Sequence, residues 1–390
     1  NPIFCVIIPA MSRRFTQPDK SLTKPERTLL LAVMLGDEQI GSRDSRERDF
    51  AAATAEAEEL VRAAGGDLIG VETAKRDRAH AALLVGTGKA EELAARVVAE
   101  HIELVVVNRE LSPTQERNLE KVLQCRVLDR VGLILAIFAQ RAHSQEGKLQ
   151  VELAQLSHLA GRLVRGYGHL QSQKGGIGLK GPGETQLETD RRLIQTRISK
   201  LRRRLADVKK QRAVRRQARL SGKVKTFALV GYTNAGKSTL FNRLSKADVL
   251  AKDQLFATLD PTARRLYLAP DTYIVLSDTV GFVRDLPHRL VSAFAATLEE
   301  TALADGLLHI VDASHPEHER QIEDVNTVLA EIGADKVPQL LVFNKTDLLP
   351  ETEQYNGIQR NAQGESVAVR LSAVSGCLLY TSDAADERSS

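Results

Sequence analysis

The feature that most limits how this chain can fold is a glycine-containing loop between an apolar run and a helical pattern. The apolar run Phe227–Val230 leads into Gly231–Thr239, which reads GYTNAGKST and has the form G-x-x-x-x-G-K-S. Its glycines let successive backbone N–H groups face a phosphate, and the start of the following helix adds a positive partial charge. We therefore predict a strand, a phosphate-binding loop and a helix that begins near Lys237.

Two side chains of this loop have a specific chemical task. Lys237 is expected to bridge the β- and γ-phosphates of a nucleotide, and the hydroxyl of Ser238 is expected to bind Mg²⁺. The loop contacts phosphates alone, so it does not choose between ATP and GTP.

A second motif selects the base. Asn344–Asp347 reads NKTD and follows the apolar run Gln339–Phe343, which is predicted as a strand. The carboxylate of Asp347 can accept two hydrogen bonds from the ring N–H and the exocyclic amine of guanine, whereas adenine offers no matching pair of donors. An unpaired buried carboxylate is costly, so the discrimination should be strong. The two motifs together predict GTP as substrate and GDP as product.

Two segments between these motifs can respond to the γ-phosphate. The predicted buried strand Thr272–Leu276 leads to Asp278, which can hold Mg²⁺ through water, and to Gly281, which can donate its N–H to the γ-phosphate. Upstream, Thr258 in the polar connection Phe256–Asp260 is the candidate second hydroxyl ligand of Mg²⁺. Considered alone, Thr258 would be an ordinary turn residue.

These expectations define one nucleotide site. The segment Ser372–Val374, after the predicted strand Val367–Leu371, is expected to close over guanine through backbone N–H groups. Lys237, Thr258 and Gly281 are the candidate catalytic residues, and Ser238 and Thr258 are the candidate Mg²⁺ ligands. The residues expected to contact the nucleotide or its metal ion are Gly231, Tyr232, Thr233, Asn234, Ala235, Gly236, Lys237, Ser238, Thr239, Phe256, Ala257, Thr258, Leu259, Asp260, Asp278, Thr279, Val280, Gly281, Asn344, Lys345, Thr346, Asp347, Ser372, Ala373 and Val374.

The N-terminal part of the chain alternates apolar runs with helical patterns. The predicted strands are Leu29–Leu35, Ala82–Val85, Leu104–Val107 and Arg126–Leu128, and the predicted helices are Arg46–Ala64, Ala90–His101 and Pro113–Leu123. This alternation predicts a parallel α/β domain. Gly86–Lys89 (GTGK) lacks the spacing of a phosphate loop and is predicted as a tight turn from strand to helix.

Two heptad-like apolar stripes follow that domain. They consist of Leu149, Leu153, Leu156, Ala160 and Leu163, and of Ile194, Ile198, Leu201, Leu205 and Val208. The stretch Lys174–Glu184 between them is too rich in glycine for either helix. We therefore predict an antiparallel helical hairpin with a glycine-rich loop at its tip.

The positive charge of the chain is concentrated in this hairpin. The formal net charge is +4, yet Arg191–Leu220 contains thirteen Lys or Arg residues against Asp207 alone. A solvated helix face is the usual explanation of a charge run, but such a face normally mixes signs. Nucleic acid is the favoured partner, because many cationic side chains on a rigid rod can replace the counterions of a phosphate backbone. Tyr167 is the aromatic residue of this segment, so shape and phosphate contacts would carry recognition.

Composition limits the class of protein. Hydrophobic residues make up 43% of the chain and charged residues 27%, which is typical of a globular protein. Cys5, Cys125 and Cys377 lie far apart and predict neither a disulfide framework nor a zinc site. The apolar stretch Ile3–Met11 is too short for a membrane helix. We expect a cytoplasmic monomer without a membrane span, and peripheral attachment to a membrane is left open.

The motifs, in this order, resemble those of the HflX family of translation-factor-related GTPases. Gly175–Gly178, followed by Gly181–Arg192 (GPGETQLETDRR), resembles the distinctive glycine-rich stretch of that family, and the preceding α/β domain fits its N-terminal domain. The resemblance covers roughly residues 24–376. It implies a Mg²⁺-dependent GTPase that binds the large ribosomal subunit and its RNA, is stimulated by ribosomes, and helps to split or rescue stalled ribosomes.

The expected organisation follows from these observations. It is an irregular segment 1–23, an α/β domain 24–148, a basic helical hairpin 149–223, a GTPase domain 224–376 and a tail 377–390. The family continues after Gly376 into a last helix and a further small region, which the tail does not resemble. We therefore expect the GTPase domain to be truncated.

One position departs from the Ras-like pattern. The residue after D-x-x-G is Phe282, where Ras-like enzymes use a glutamine to orient the attacking water. We expect slow intrinsic hydrolysis, and a site completed when a partner, the ribosome above all, orders the loops 251–262 and 281–287. Asn234 resembles the asparagine with which some related GTPases hold K⁺, so K⁺ is a further candidate cofactor.

Two other functions stay open on the sequence. The chain could be an RNA-binding P-loop NTPase that uses ATP. It could also be a GTP-gated binding switch that acts outside the ribosome and whose hydrolysis only resets it.

Overall fold

The structure is a computed structural model that describes residues 25–36, 43–166, 182–220, 224–245, 255–256, 258–260, 262–269, 272–284, 298, 301–354, 357–364 and 366–376. The predictions for segments 1–23 and 377–390, for Ala257, and for residues 174–181 of the glycine-rich loop lie outside the described residues. The chain divides into two compact units, Asn1–Gln140 with Val151–Arg203, and Arg141–Gln150 with Arg204–Ser390. The predicted domain boundaries differ from this division and stay predictions.

The first unit contains a four-stranded parallel sheet with helices between its strands. The strands are β1 (Arg27–Leu35), β2 (Asp67–Arg76), β3 (Leu104–Val107) and β4 (Arg126–Leu128), in the order β2-β1-β3-β4. The helices are α1 (Arg43–Ala63), α2 (Thr87–Ala99), α3 (Pro113–Leu123) and α4 (Arg130–Arg141). β3 and the Leu29–Leu35 part of β1 are apolar because the inner strands of a parallel sheet are covered on both faces. The predicted parallel α/β domain is confirmed.

One predicted strand of this unit is wrong. Ala82–Val85 is a turn, since Leu84 has a left-handed φ of 65° and the backbone N–H of Leu84 donates to the carbonyl oxygen of His80. Leu83, Leu84 and Val85 are apolar because they pack in the core as a loop. The second strand is instead β2, an edge strand in which polar and apolar residues mix, and the buried helix α4 was also missed. Lys89 of the GTGK segment pairs with Glu72 at 2.7 Å and with Glu92 at 3.1 Å.

Two long helices follow, α5 (Gln145–Gly166) and α6 (Pro182–Leu220). α6 begins inside the stretch that was predicted to be non-helical through Glu184; proline suits the first turn of a helix, where its missing N–H has no partner to lose. Of the second predicted stripe, Ile198 and Leu201 are fully buried. Of the first stripe, Leu153 is half-buried, and the fully buried positions of α5 include Val151. The antiparallel hairpin stays a prediction.

The second unit contains a seven-stranded mixed sheet. Its strands are β5 (Thr226–Gly231), β6 (Thr262–Ala269), β7 (Thr272–Asp278), β8 (Gly306–Asp312), β9 (Gln339–Asn344), β10 (Gly357–Arg360) and β11 (Ser366–Arg370), in the order β10-β11-β9-β8-β5-β7-β6. The pairs β6–β7 and β10–β11 are antiparallel, and the other pairs are parallel. Helices α7 (Lys237–Ser245) and α8 (His318–Glu331) accompany the sheet.

The carboxyl ends of β5, β7, β8, β9 and β11 meet at one edge of this sheet because those strands run parallel. Ligands of open α/β sheets bind outside this edge. The predicted strands before the phosphate loop, before NKTD and before Ser372–Val374 are all confirmed and all end there. Among the described helices, none combines the length and the apolar character that a membrane crossing needs.

Candidate nucleotide site

The phosphate loop is shaped by two glycines with positive φ. Gly231 has a φ of 142°, and a Cβ atom there would lie 2.2 Å from the backbone oxygen of Ile310 in β8. Gly236 has a φ of 91°, and its Cβ would lie 2.2 Å from Nδ2 of Asn344. Any larger residue at either position would therefore displace a neighbouring strand end or the NKTD asparagine. The sequence motif keeps glycine here for space as well as for backbone conformation.

Lys237 is buried inside the loop that it closes. Its Nζ atom donates to the backbone oxygens of Gly231 at 3.0 Å and Tyr232 at 2.6 Å. Burial lowers the pKa of Lys237 to about 8; the nearby carboxylate of Asp278 opposes this shift and the positive charge of Lys345 adds to it. Burial removes the water that would stabilise the positive charge of the ammonium group. Negatively charged phosphates bound in the loop would stabilise that charge instead.

Three oxygen-bearing side chains converge beside Lys237. Ser238 Oγ lies 2.8 Å from Thr258 Oγ1, and each hydroxyl donates to Oδ2 of Asp278 at 2.7 Å. The other carboxylate oxygen, Oδ1 of Asp278, is buried and has no hydrogen-bond partner among the described residues. Burial raises the pKa of Asp278, and the hydrogen bonds from Ser238 and Thr258 counteract that rise. Hard oxygen donors around an unsatisfied carboxylate fit a Mg²⁺ ion.

The D-x-x-G segment is attached to the phosphate loop by backbone bonds. The N–H of Thr233 donates to the oxygen of Phe282 at 2.7 Å, and the N–H of Phe282 donates to the oxygen of Gly231 at 3.2 Å. The hydroxyl of Tyr232 accepts from the N–H of Arg284 at 2.7 Å. Phe282 is buried, so its ring faces the interior of the unit and away from solvent. Neither the sequence motif nor its spacing indicated the role of the Tyr232 hydroxyl.

The base side of the site is organised by the NKTD segment. Asn344 donates to the oxygen of Ala235 at 2.9 Å and accepts from the N–H of Ala373 at 2.9 Å. Lys345 has a left-handed φ of 62° and pairs with Asp312 at 2.8 Å. Asp347 is exposed and lies at the rim of the cleft. The side chain of Asn344 therefore connects the end of β9, which carries NKTD, to the phosphate loop and to the segment after β11.

These elements enclose a cleft of about 420 Å³. The predicted site residues that line it are Thr233, Asn234, Gly236, Lys237, Ser238, Thr239, Phe256, Thr258, Thr279, Gly281, Asn344, Lys345, Asp347, Ala373 and Val374. The cleft is also lined by Leu348, which the sequence reasoning missed although it directly follows the NKTD motif.

The other described residues among the predicted site residues do not line the cleft. They are Gly231, Tyr232, Ala235, Leu259, Asp260, Asp278, Val280, Thr346 and Ser372. Several of them have a structural task, as with Thr346, whose N–H donates to the oxygen of Leu371 at 3.4 Å. The side chain of Asp260 is bonded to the backbone of His143 and Ser144. Nucleotide contacts for these residues stay predictions.

A phosphate loop, a converging oxygen cluster and an NKTD segment at one edge of a mixed sheet define a P-loop GTPase. Residues 226–345 match the family described as 50S ribosome-binding GTPase, residues 51–139 the GTP-binding GTPase N-terminal family, and residues 141–219 the GTP-binding GTPase middle region. The GTPase HflX of Escherichia coli strain K12 is 56% identical over 82% of this chain and 75% of the relative. The GTPase HflX of Magnetococcus marinus is 49% identical over 88% of this chain and 78% of the relative.

The chain belongs to the HflX family of GTPases. It binds guanine nucleotide and hydrolyses GTP. A solved GTP-binding protein from Sulfolobus solfataricus in complex with GDP aligns with 92% of this chain and 98% of its own, with 22% identity and a TM-score of 0.47.

Proposed function

We propose that this GTPase binds the large ribosomal subunit in its GTP state and acts there in the splitting or rescue of stalled ribosomes. The observation that carries the proposal is the match of residues 226–345 to a family described as ribosome-binding, in a chain that also contains a strongly basic helix. The proposal implies a cytoplasmic protein that works as a monomer. Peripheral membrane attachment is not part of it.

The basic helix α6 is the proposed contact with ribosomal RNA. The consecutive residues Arg202, Arg203 and Arg204 are all exposed. Arg197 of the same helix pairs with Glu152 of α5 at 2.6 Å, which supports the proposed hairpin of the two helices. Several exposed cations on one rigid helix favour a polyanion because each phosphate contact releases condensed counterions.

The roles proposed for the site follow its geometry. Lys237 would hold the β- and γ-phosphates, Gly281 would donate its N–H to the γ-phosphate, and Asp347 would accept from the edge of guanine. Ser238 and Thr258 would hold Mg²⁺, with Asp278 behind them. The ion would neutralise charge that develops on the phosphate oxygens during hydrolysis.

Stimulation of hydrolysis by the ribosome is proposed because, among the residues that the structure describes, the position that orients water in Ras-like enzymes has no polar side chain. Phe282 occupies the position of the Ras-like glutamine, is buried, and has no group that could hold a water molecule. A partner that repositions the D-x-x-G segment would have to supply or expose that group. Equal GTP turnover with and without ribosomes would contradict this part of the proposal.

K⁺ is proposed as a second cation. Asn234 lines the cleft, and the phosphate loop turns at this residue, whose φ of 62° is left-handed. Hydrolysis that is unchanged when Na⁺ replaces K⁺ would remove K⁺ from the mechanism. An Asn234→Ala variant that keeps the K⁺ dependence would instead show that Asn234 does not hold the ion.

Sedimentation with purified large subunits tests the ribosome proposal. The protein should pellet with the subunit in the presence of a nonhydrolysable GTP analogue and remain in the supernatant with GDP. Replacing Arg202, Arg203 and Arg204 by serine should weaken binding and lower the dependence of log K on log salt by about three. The matched control replaces three exposed cations outside α6, Lys121, Arg264 and Lys336, and should bind as the unchanged protein does.

Two outcomes would contradict the proposal. One is binding that does not differ between GDP and the GTP analogue, and the other is equal weakening by the two triple variants. Base selection is tested separately: Asp347→Asn should weaken guanine nucleotides and favour xanthine nucleotides, whereas Asp335→Asn, an exposed aspartate away from the cleft, should change neither. An ATP-using enzyme would be indifferent to Asp347→Asn.

A further inference from the structure

The carboxylate of Asp260, two residues after Thr258, is bonded to the start of helix α5. Its Oδ2 atom accepts from the backbone N–H of His143 at 2.9 Å and of Ser144 at 2.6 Å. Its Oδ1 atom accepts from the hydroxyl of Ser144. The first N–H groups of a helix have no carbonyl partner within the helix, so Asp260 supplies acceptors just where the chain enters α5.

The helix leaves room for this carboxylate by having glycine in its first turn. A Cβ atom at Gly147 would lie 2.2 Å from Oδ1 of Asp260 and 3.2 Å from Oγ of Ser144. The N–H of Gly147 donates to Oγ of Ser144 at 2.9 Å. Asp260, Ser144 and Gly147 therefore form one tightly fitted contact, which we call the Asp260 clamp. All three residues belong to the same compact unit.

The clamp lies next to the candidate metal ligand in the chain. Thr258 Oγ1 contacts both Ser238 at 2.8 Å and Asp278 at 2.7 Å, and the residue between Thr258 and Asp260 is the buried Leu259. A buried residue leaves this short tether little freedom. The position of Thr258 in the cleft and the closure of the clamp are therefore linked.

We propose that Asp260 is a positioning residue for GTP hydrolysis: its clamp on the start of α5 holds Thr258 against Ser238 and Asp278. The inference rests on the proposed role of Thr258 as a Mg²⁺ ligand in the GTP state. The side chain of Asp260 thus contacts the start of α5, whereas the sequence motif had predicted that it contacts the nucleotide. Because linkage is reciprocal, a ligand that draws Thr258 into the cleft must also favour the clamped start of α5.

Nucleotide affinities of the full chain test the clamp. Asp260→Ala should weaken binding of a nonhydrolysable GTP analogue with Mg²⁺ by about fivefold, because the hydrogen bonds that position Thr258 are lost, and leave GDP affinity within about twofold. Asp260→Asn should behave like the unchanged protein, because its amide oxygen can accept from the two backbone N–H groups and its amide N–H can donate to Oγ of Ser144. A purely structural cap would affect the two nucleotides alike.

A second variant separates the clamp from general stability. Gly147→Ala raises the helix propensity of the first turn but displaces the Asp260 carboxylate, so it should show the same selective loss of the GTP analogue without loss of stability. Asp305→Ala is the matched control: this carboxylate accepts from the backbone N–H of Thr226 at 2.8 Å and from Lys225 at 3.0 Å, and its loss should not distinguish the two nucleotides. In the unchanged protein, the N–H of Ser144 should exchange with solvent more slowly with the GTP analogue than with GDP.

The variant Thr258→Ala tests the proposed Mg²⁺ role of Thr258 separately from the positioning role of the Asp260 clamp. If Thr258→Ala does not selectively weaken the GTP analogue, the metal role proposed for Thr258 is wrong. If Thr258→Ala does so but Asp260→Ala and Gly147→Ala leave the ratio of the two affinities unchanged, the clamp alone is overturned. Equal exchange of the Ser144 N–H in the two nucleotide states would also overturn it.

Discussion

The side-chain amide of Asn344 donates to the backbone oxygen of Ala235 at 2.9 Å, and so joins the NKTD segment at the end of β9 to the phosphate loop. The other end of the same side chain accepts from Ala373, and Asn344 is only 2% exposed. Asn344 therefore holds the walls of the cleft together, whatever contact it makes with the nucleotide.

Asn344→Ala should destabilise the unit by about 2 to 4 kcal/mol, because it leaves two buried backbone groups without a partner. GDP affinity should fall with it, measured at a temperature where the variant is still folded. Urea denaturation measures the stability. Asn326→Ala, at an exposed position of α8, is the control and should change the free energy of unfolding by no more than about 0.5 kcal/mol. Equal stability of the two variants would show that the Asn344 bonds contribute nothing.

Proton uptake on GDP binding should reveal the lowered pKa of Lys237. The pKa is about 8 in the free protein, and phosphates should raise it in the complex. Below pH 8 both states hold the proton, so affinity does not depend on this group; above it, affinity falls by up to about tenfold per pH unit. Calorimetry in buffers of different ionisation enthalpy should show about three-quarters of a proton taken up at pH 8.5 and almost none at pH 6.5.

The control for this measurement is Lys336→Met, which removes an exposed lysine of the same unit and should leave proton uptake unchanged. No uptake at pH 8.5 in the unchanged protein would mean that Lys237 keeps an ordinary pKa in the free site.

Gly281→Ala should block turnover more than binding. A Cβ atom at Gly281 would lie 2.8 Å from Cγ2 of Thr233, 3.0 Å from its Cα and 3.1 Å from Nζ of Lys237. The backbone contact cannot yield by a side-chain rotation, so the D-x-x-G segment must move. Displacement of this order can slow a reaction about a hundredfold, whereas GDP lacks the γ-phosphate and should bind within about threefold. Single-turnover hydrolysis and GDP titration measure the two effects.

Gly88→Ala is the matched control, since a Cβ atom there meets nothing within 4 Å. It should leave GTP turnover unchanged. Equal turnover by Gly281→Ala and Gly88→Ala would show that the segment adjusts without loss of function.

His309 should make the protein sensitive to acid. It is 1% exposed in β8, and burial lowers its pKa from 6.5 to about 4, with Lys237 adding to the shift and a hydrogen bond to Gln339 opposing it. Between these two pH values, His309 binds a proton in the unfolded chain but stays neutral in the folded protein. Stability should therefore fall by up to about 3 kcal/mol as pH drops from 6.5 to 4.

Thermal or urea unfolding at several pH values measures this loss. His309→Gln should remove it, even if the variant is less stable at neutral pH, and the exposed His101→Gln should retain it. An unchanged pH dependence in His309→Gln would assign the acid sensitivity to other groups.

Many elements of this fold could be predicted from local pattern. Three elements have the predicted bounds, Leu104–Val107, Pro113–Leu123 and Arg126–Leu128. Their apolar periodicity, and the capping box at Ser112 before the helix, depend on residues that are adjacent in the sequence. The strand predicted at Ala82–Val85 is wrong because the apolar character of this segment reflects packing against residues distant in the chain. Its backbone turns at Leu84, and nothing in the adjacent residues indicates this turn.

The sequence by itself determined the phosphate loop, the NKTD motif and the strands that precede them, since each lies in a short stretch whose backbone conformation depends on its own residues. Only the tertiary structure decided which side chains meet. Asp278 joins Ser238 and Thr258, Asn344 bonds to Ala235, and Asp260 is bonded to Ser144. Such contacts link residues far apart in the chain, and the spacing within a motif carries no information about them.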